Sequence, residues 1–205
     1  MSRAFADICF TASVKAAQSR YGSRAGNTAF ERASDPHNAI TLRDADFIAS
    51  RDSFYQASVS EDGWPYVQHR GGPPGFLRVL DARTLGYADY RGNRQYISVG
   101  NINADARVAL ILMDYPHQAR LKIWGRARVV HANEDAPLLA HLATPASPTN
   151  IERAIVIHVE ALEWNCPQHI TPRYTEAELG EEMRALTEQN RRLRARLEAL
   201  KGGTS

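Results

Sequence analysis

The stretch of this 205-residue chain best suited to chemistry is Asp89-Tyr90-Arg91-Gly92-Asn93-Arg94-Gln95-Tyr96. A strand pattern ends there, Gly92 permits a sharp turn, and a helix is expected to begin near Asn93. Free amides at a helix N-terminus attract an anion, and a neighbouring Arg can grip a phosphate with two parallel hydrogen bonds. The same residues would also suit a surface turn with a solvated Arg, and the motif alone leaves both readings open. Few other patterns compete with it. The sequence has no G-x-G-x-x-G after a strand, no P-loop, no H-E-x-x-H, no paired C-x-x-C and no G-x-S-x-G. The seven histidines are scattered without metal-ligand spacing, and no nucleophile stands beside a base.

The elements that must position this turn read mainly as β. Residues 1–40 are mixed and rich in Ser, Ala, Arg and Gly. Val14 to Arg20 is expected to be a short helix, and Tyr21 to Asn38 an arm or long loop. Thr41-Leu42-Arg43-Asp44 has capping-box spacing and starts a short helix that carries Phe47 and Ile48 inward. Ser53 to Ser60 and Trp64 to Arg70 form a hairpin around Glu61-Asp62-Gly63. Gly71-Gly72-Pro73-Pro74-Gly75 then interrupts pairing, because Pro donates no amide. Phe76 to Leu80 with Thr84 to Tyr90, and Arg107 to Asp114 with Ala119 to His131, make two more hairpins. A helix over Asp135 to Leu142 and a strand over Arg153 to Glu163 complete the set. Strands this short and closely spaced indicate a barrel or sandwich rather than alternating βαβ units.

The tail differs. Leu179, Met183, Leu186, Asn190, Leu193, Leu197 and Leu200 follow a 4, 3, 4, 3, 4, 3 spacing, an a/d seam with Leu at every d position and Asn190 at a central a position. A buried Asn that pairs with its counterpart fixes register and favours two parallel strands. The alternative is one amphipathic helix packed on its own domain. Arg191, Arg192, Arg194 and Arg196 lie inside the heptads, not ahead of them as in a basic-region zipper, which argues against nucleic acid as the partner.

Composition sets the outer bounds. The chain is 43% hydrophobic and 23% charged with a formal net charge of +2, which suits one globular domain with extensions. That balance supplies no bulk attraction to nucleic acid or an acidic membrane. There are 22 Arg against three Lys, a bias that codon usage can produce. Cys9 and Cys166 are too few and too far apart for a disulfide framework, so a reduced, cytoplasmic setting is expected. No apolar run approaches the roughly 18 residues of a membrane span, and the start has no signal-peptide pattern.

Residues 41–130 resemble the pyridoxamine 5′-phosphate oxidase-like FMN-binding split barrels. The resemblance rests on Phe54-Tyr55-Gln56-Ala57-Ser58-Val59 with its Asp62-Gly63 turn, Pro65-Tyr66-Val67-Gln68-His69-Arg70 and Phe76-Leu77-Arg78-Val79-Leu80-Asp81. It continues through Gly92-Asn93-Arg94-Gln95, Arg107-Val108-Ala109-Leu110 and Leu121-Lys122-Ile123-Trp124-Gly125-Arg126-Ala127. The resemblance implies a six- to seven-stranded antiparallel split β-barrel of Greek-key type with short flanking helices, followed here by a C-terminal coiled-coil helix. With the patterns at either end, the chain divides into an arm with a short helix (1–40), an FMN-binding barrel (41–174) and a coil (175–201). The resemblance also implies a homodimer with FMN at the subunit interface, and a small organic substrate or a reduced nicotinamide.

Carried over by position, Arg94 matches the family's phosphate-binding Arg, beside Asn93 and with Gln95 where a Lys is usual. Ala88 and Asp89 occupy strand-end positions that touch the flavin, and Arg78 aligns with a basic residue used for cofactor phosphate or substrate. Arg120 falls where a Gln often reaches the cofactor from the partner subunit, and Gln68, His69 and Arg70 approach the ring. The run Trp164-Asn165-Cys166-Pro167-Gln168-His169-Ile170 is similar to the hallmark of an uncharacterised subgroup, in which Trp164 and Arg173 would complete the pocket. Cys166 would be either a redox partner of the flavin or merely packed. The true oxidases carry a basic and hydroxyl cluster for the substrate phosphate, whereas Ala143 to Asn150 is Pro-rich and has no Arg. Two functional classes follow: an FMN-dependent oxidoreductase, or a non-enzymatic flavin sensor or carrier with a coiled-coil partner surface.

Overall fold

The computed structural model describes residues 2–32, 35–144, 151–164 and 167–202, with the side chains of 181, 182, 197 and 199–202 set aside. Asn165, Cys166, residues 145–150 and the Leu197 and Leu200 side chains of the expected seam therefore lie outside the described residues. The chain clusters into two compact units, Met1–Asp114 with Ala119–Pro167, and Tyr115–Gln118 with Gln168–Ser205. Among the described residues no helix is long and apolar enough to cross a membrane.

The first unit is built on one seven-stranded antiparallel sheet. Its strands are β1 (Ser53–Val59), β2 (Pro65–Gly71), β3 (Arg78–Asp81), β4 (Thr84–Tyr90), β5 (Arg107–Asp114), β6 (Ala119–His131) and β7 (Ile151–Trp164). They lie in the order β2-β1-β5-β6-β7-β4-β3. β1 and β4 are far apart in that order, yet the Tyr87 hydroxyl donates to Gln56 Oε1 at 2.9 Å, and the Phe54 and Tyr87 ring centroids are 5.4 Å apart. The sheet therefore curls until its ends approach, while no ladder joins β2 to β3, and the result is a split barrel.

Strict alternation drives this closure. On β5, Val108, Leu110 and Leu112 are buried and their neighbours are not, and side chains two apart share one face of a strand. Those residues join Phe54, Leu85, Tyr87, Leu121, Ile123, Ile155 and Ile157 in the barrel interior. A second cluster, with Ala88, Val130, Ala154 and Val156, lies beneath Leu139 and Leu142 of a helix, Ala136–Leu142. The β6–β7 ladder shifts register between Trp124 and Gly125, and a Cβ at Gly125 would collide with the His158 carbonyl oxygen. Glycine is the residue that lets the two backbones approach at this bulge.

The N-terminal region is more ordered than its composition suggests. It forms α1 (Ala4–Cys9), α2 (Ala12–Arg20) and α3 (Arg24–Glu31), followed by α4 (Leu42–Ala49). The α3 helix replaces the loop expected over Tyr21 to Asn38. Ser23 supplies no side-chain cap, so the usual start signal is missing, and packing selects the helix instead. Phe5, Phe10 and Phe30 meet edge-on or tilted at 5.7–6.1 Å, and Phe5 lies 5.0 Å from Trp124 on the barrel. The α4 capping box is complete, with both the Thr41 and Asp44 bonds present. In the remaining stretches α5 (Ile97–Ala104) and α6 (Ala136–Leu142) flank the sheet, and α7 (Glu176–Gly202) forms most of the second unit.

Candidate functional site

The barrel opens between β2 and the end of β4. On β2, burial alternates so that Tyr66, Gln68 and Arg70 face inward while Val67 and His69 face out. Asp89, on the interior face of β4 and 8% exposed, accepts from Arg70 Nη1 at 2.8 Å and lies 3.6 Å from Arg153 Nη1. Arg153 also pairs with Glu152 and stands 4.8 Å over the Tyr96 ring. The Tyr66 hydroxyl donates to Gln68 Oε1. These contacts join strands β2, β4 and β7 into one polar wall.

The opposite wall is the turn after β4. Its sharp conformation is made at Arg94 (φ 62°) and Tyr96 (φ 54°), not at Gly92, and helix α5 consequently begins at Ile97 rather than near Asn93. Left-handed backbone costs a non-glycine residue about 1–2 kcal/mol and cannot propagate as a right-handed helix. Two such residues within three positions amount to backbone strain of the sort that gathers at ligand clamps and turns successive N–H groups into an anion-binding concavity. Asn93 Oδ1 accepts from the Gln95 amide at 3.1 Å and braces the turn. Tyr96, the residue before α5, offers no side-chain cap, so the first amides of the helix have no partner within it.

Together the two walls enclose a cleft of about 260 Å³ that includes Gln68, Arg70, Asp89, Asn93, Arg94 and Gln95 among its lining. The carboxylates there are already paired: Asp89 with Arg70 and Arg153, and Glu152 with Arg153 and Arg91. Arg94 is exposed and has no hydrogen-bond or ion-pair partner among the described residues. The Arg70 Nε atom is buried without a partner. The cleft thus presents an uncommitted guanidinium, uncapped helix amides and the Ser98 side chain, which is the donor set of a phosphate ester site. Measured against FMN, the phosphate end fits these donors.

The other expected site residues lie elsewhere. His69 is on the outer face of β2, 5.4 Å edge-on from the Tyr55 ring. Ala88 faces away from Asp89, into the cluster beneath α6. Arg78 pairs with Gly86 at the β3 edge and buries an Nε that has no partner. Arg120 stands opposite Met113 at the start of β6. Trp164 closes β7, where its Nε1 donates to Asp44 at 2.8 Å and its ring meets Phe47 at 4.7 Å. Arg173, in the second unit, stands 5.1 Å over the Tyr115 ring. Arg153 and Trp164 are eleven positions apart on β7, roughly 36 Å of extended chain.

Sequence reasoning passed over Tyr66, Ser98 and Glu152, all of which line the cleft. Tyr66 was within reach, because alternation along β2 puts it on the face of Gln68 and Arg70. Glu152 had no local signal: it arrives through the β4–β7 ladder, in which Asp89 pairs with Arg153.

A sequence profile described as Pyridoxamine 5′-phosphate oxidase matches residues 40–165. Among solved structures, the chain is similar to a putative pyridoxamine 5′-phosphate oxidase from Lactobacillus delbrueckii, with 23% identity, TM-score 0.49, and coverage of 62% of this chain and 94% of that one. General Stress Protein 26 from Bacillus anthracis is 15% identical, with TM-score 0.46 and coverage of 58% and 88%. An FMN-binding protein from Syntrophomonas wolfei is 9% identical, with TM-score 0.45 and coverage of 75% and 97%. Comparison with curated proteins finds no match. With a split barrel in place and more than half its length matched, the chain belongs to the pyridoxamine 5′-phosphate oxidase family.

Proposed function

We propose that this protein is an FMN-dependent oxidoreductase that works as a homodimer on a small organic substrate or a reduced nicotinamide. The observation that carries the reading is Arg94: an unpartnered guanidinium on a strained turn, beside uncapped helix amides, at the mouth of the cleft. Arg94, the Ser98 hydroxyl and the first amides of α5 would hold the phosphate, braced by Asn93. Tyr66, Gln68 and Arg70 form the polar wall for the remainder of the cofactor. The hydride chemistry is the flavin's own, and the protein supplies orientation, charge and control of water.

Size and placement support the homodimer reading. A cleft of about 260 Å³ falls short of the roughly 300–1,000 Å³ that encloses a ligand of this class. Arg120 and Trp164 sit at the end of the sheet away from Arg153, since Leu121 pairs with Trp164 while His131 pairs with Arg153. A second copy would bring that end to the cofactor.

One observation favours the carrier reading as a second possibility. The carboxylates lining the cleft are ion-paired, and its described lining holds no His, Cys or Lys, which leaves tyrosine and serine hydroxyls as the neutral proton donors there. Steady-state oxidation of a reduced nicotinamide separates the two readings. The cofactor itself is tested by heat release and chromatography. FMN is expected, and recovery of FAD, or failure to bind micromolar FMN, would refute the assignment.

A further inference from the structure

The tail helix α7 carries an apolar stripe that is open from Leu179 to Leu193. Leu179 is 48% exposed, Met183 63%, Leu186 48% and Leu193 52%. A contiguous apolar stripe of this kind marks an interaction surface. Its spacing of 3.5 residues asks for another helix, and its charge shows which one and in which direction.

The helix is bipolar. Residues 176–189 hold five Glu and one Arg, whereas residues 190–202 hold one Glu and five Arg or Lys. Over 27 residues, about 40 Å of helix, a parallel pair would set acid against acid and base against base. Charges flanking a coiled-coil seam lie within about one Debye length, roughly 8 Å at physiological salt, so this repulsion is felt along both halves. Glu188 neutralises Arg191 and Arg192 on its own helix at 2.8 and 3.1 Å. Arg194 and Arg196, the residues flanking Leu193 and the next a position, have no ion-pair partner among the described residues. An antiparallel partner brings its acidic half to them.

Asn190 is the feature that would argue for parallel strands, through pairing with its own counterpart. Here its Nδ2 donates to the Leu186 carbonyl oxygen of the same helix at 3.2 Å. One amide hydrogen is thereby committed within the same helix, which weakens the pull toward a facing Asn. We infer that α7 pairs with α7 of a second copy of this chain in antiparallel orientation, with Met183 against the partner's Leu193 and Leu186 against the partner's Asn190.

The test uses the full chain with Cys9→Ser and Cys166→Ser, carrying Met183→Cys and Leu193→Cys together. Ten residues apart on one helix, about 15 Å, the two cysteines cannot bond within a chain. After mild oxidation, peptide mapping is expected to show the 183 fragment joined to the 193 fragment. Fragments joined to themselves, 183 to 183 and 193 to 193, would establish parallel strands and overturn the inference, and so would the absence of any interchain link. Reversing Arg194 and Arg196 to Glu leaves the apolar stripe intact and is expected to cut the 183–193 product severalfold. An unchanged yield would show that charge does not set the direction.

Discussion

Arg94 concentrates what the site requires of a single residue. It accepts a left-handed backbone, a strain that binding an anion would offset, and keeps its exposed guanidinium without a partner among the described residues. A charge-assisted hydrogen bond contributes about 1.5–3 kcal/mol. Arg94→Ala is therefore expected to weaken FMN binding about ten- to a hundredfold, measured by flavin fluorescence titration, and more than Arg78→Ala or Arg120→Ala, neither of which lines the cleft. Normal binding by the Arg94 variant would move the phosphate site elsewhere. A second residue-scale effect involves His37 and Asp44. Asp44 is buried, which alone would raise its pKa, but the His37 imidazole 3.6 Å away and bonds from Thr41 and Trp164 hold its carboxyl well below the usual range. His37 is raised above its ordinary 6.5, chiefly by Asp44, against the opposing effects of burial and Arg3, with Asp35 adding to the rise. A raised histidine contributes stability that is full below its unfolded pKa and is lost as pH rises through its folded pKa. The thermal midpoint should therefore fall as pH rises above about 6.5 and through the raised pKa of folded His37, and His37→Gln should flatten that slope. An equal slope in the variant would assign the pH dependence to other groups.

At the scale of elements, the bulge in the β6–β7 ladder is the sharpest constraint. Gly125→Ala places a methyl group against the His158 carbonyl where the ladder shifts register. Overpacking of this kind costs about 1–3 kcal/mol, and a lower urea midpoint with an unchanged m-value is expected. The same scale explains what could be seen in the sequence. The strands were legible because alternation and turn residues agree: Gly63, at φ 83°, makes the hairpin between β1 and β2 where Asp62-Gly63 predicts it. The α4 helix was legible from its Thr41–Asp44 spacing, and α3 was not, since its support is Phe30 against Phe5 and Phe10, a tertiary contact. The cleft divides in the same way. Asn93, Arg94 and Gln95 are neighbours in sequence and were found together, although the turn is made two to four residues beyond Gly92. Glu152 and Arg153 reach the site only because the sheet curls and β7 lies beside β4, which no local pattern reports.

For the whole molecule, the separation into two units sets what the tail can and cannot do. Residues 176–205 belong to the second unit, while the barrel core and the whole lining of the cleft belong to the first. Removing that segment takes away no residue of either interior cluster and no candidate phosphate ligand. The shortened protein is therefore expected to fold with the thermal stability of the barrel and to bind FMN with little loss. If the cofactor site is shared between copies as proposed, it should also remain a dimer at micromolar concentration. If the tail adds the proposed contact between copies, dilution should dissociate the shortened protein at higher concentration than the full chain. Light scattering over a dilution series, with and without FMN, reads both quantities. If the shortened chain is a monomer that still binds FMN tightly, the shared site is wrong and one chain suffices. If it is a monomer that has lost FMN, pairing and cofactor are linked but the tail, not the barrel, drives assembly.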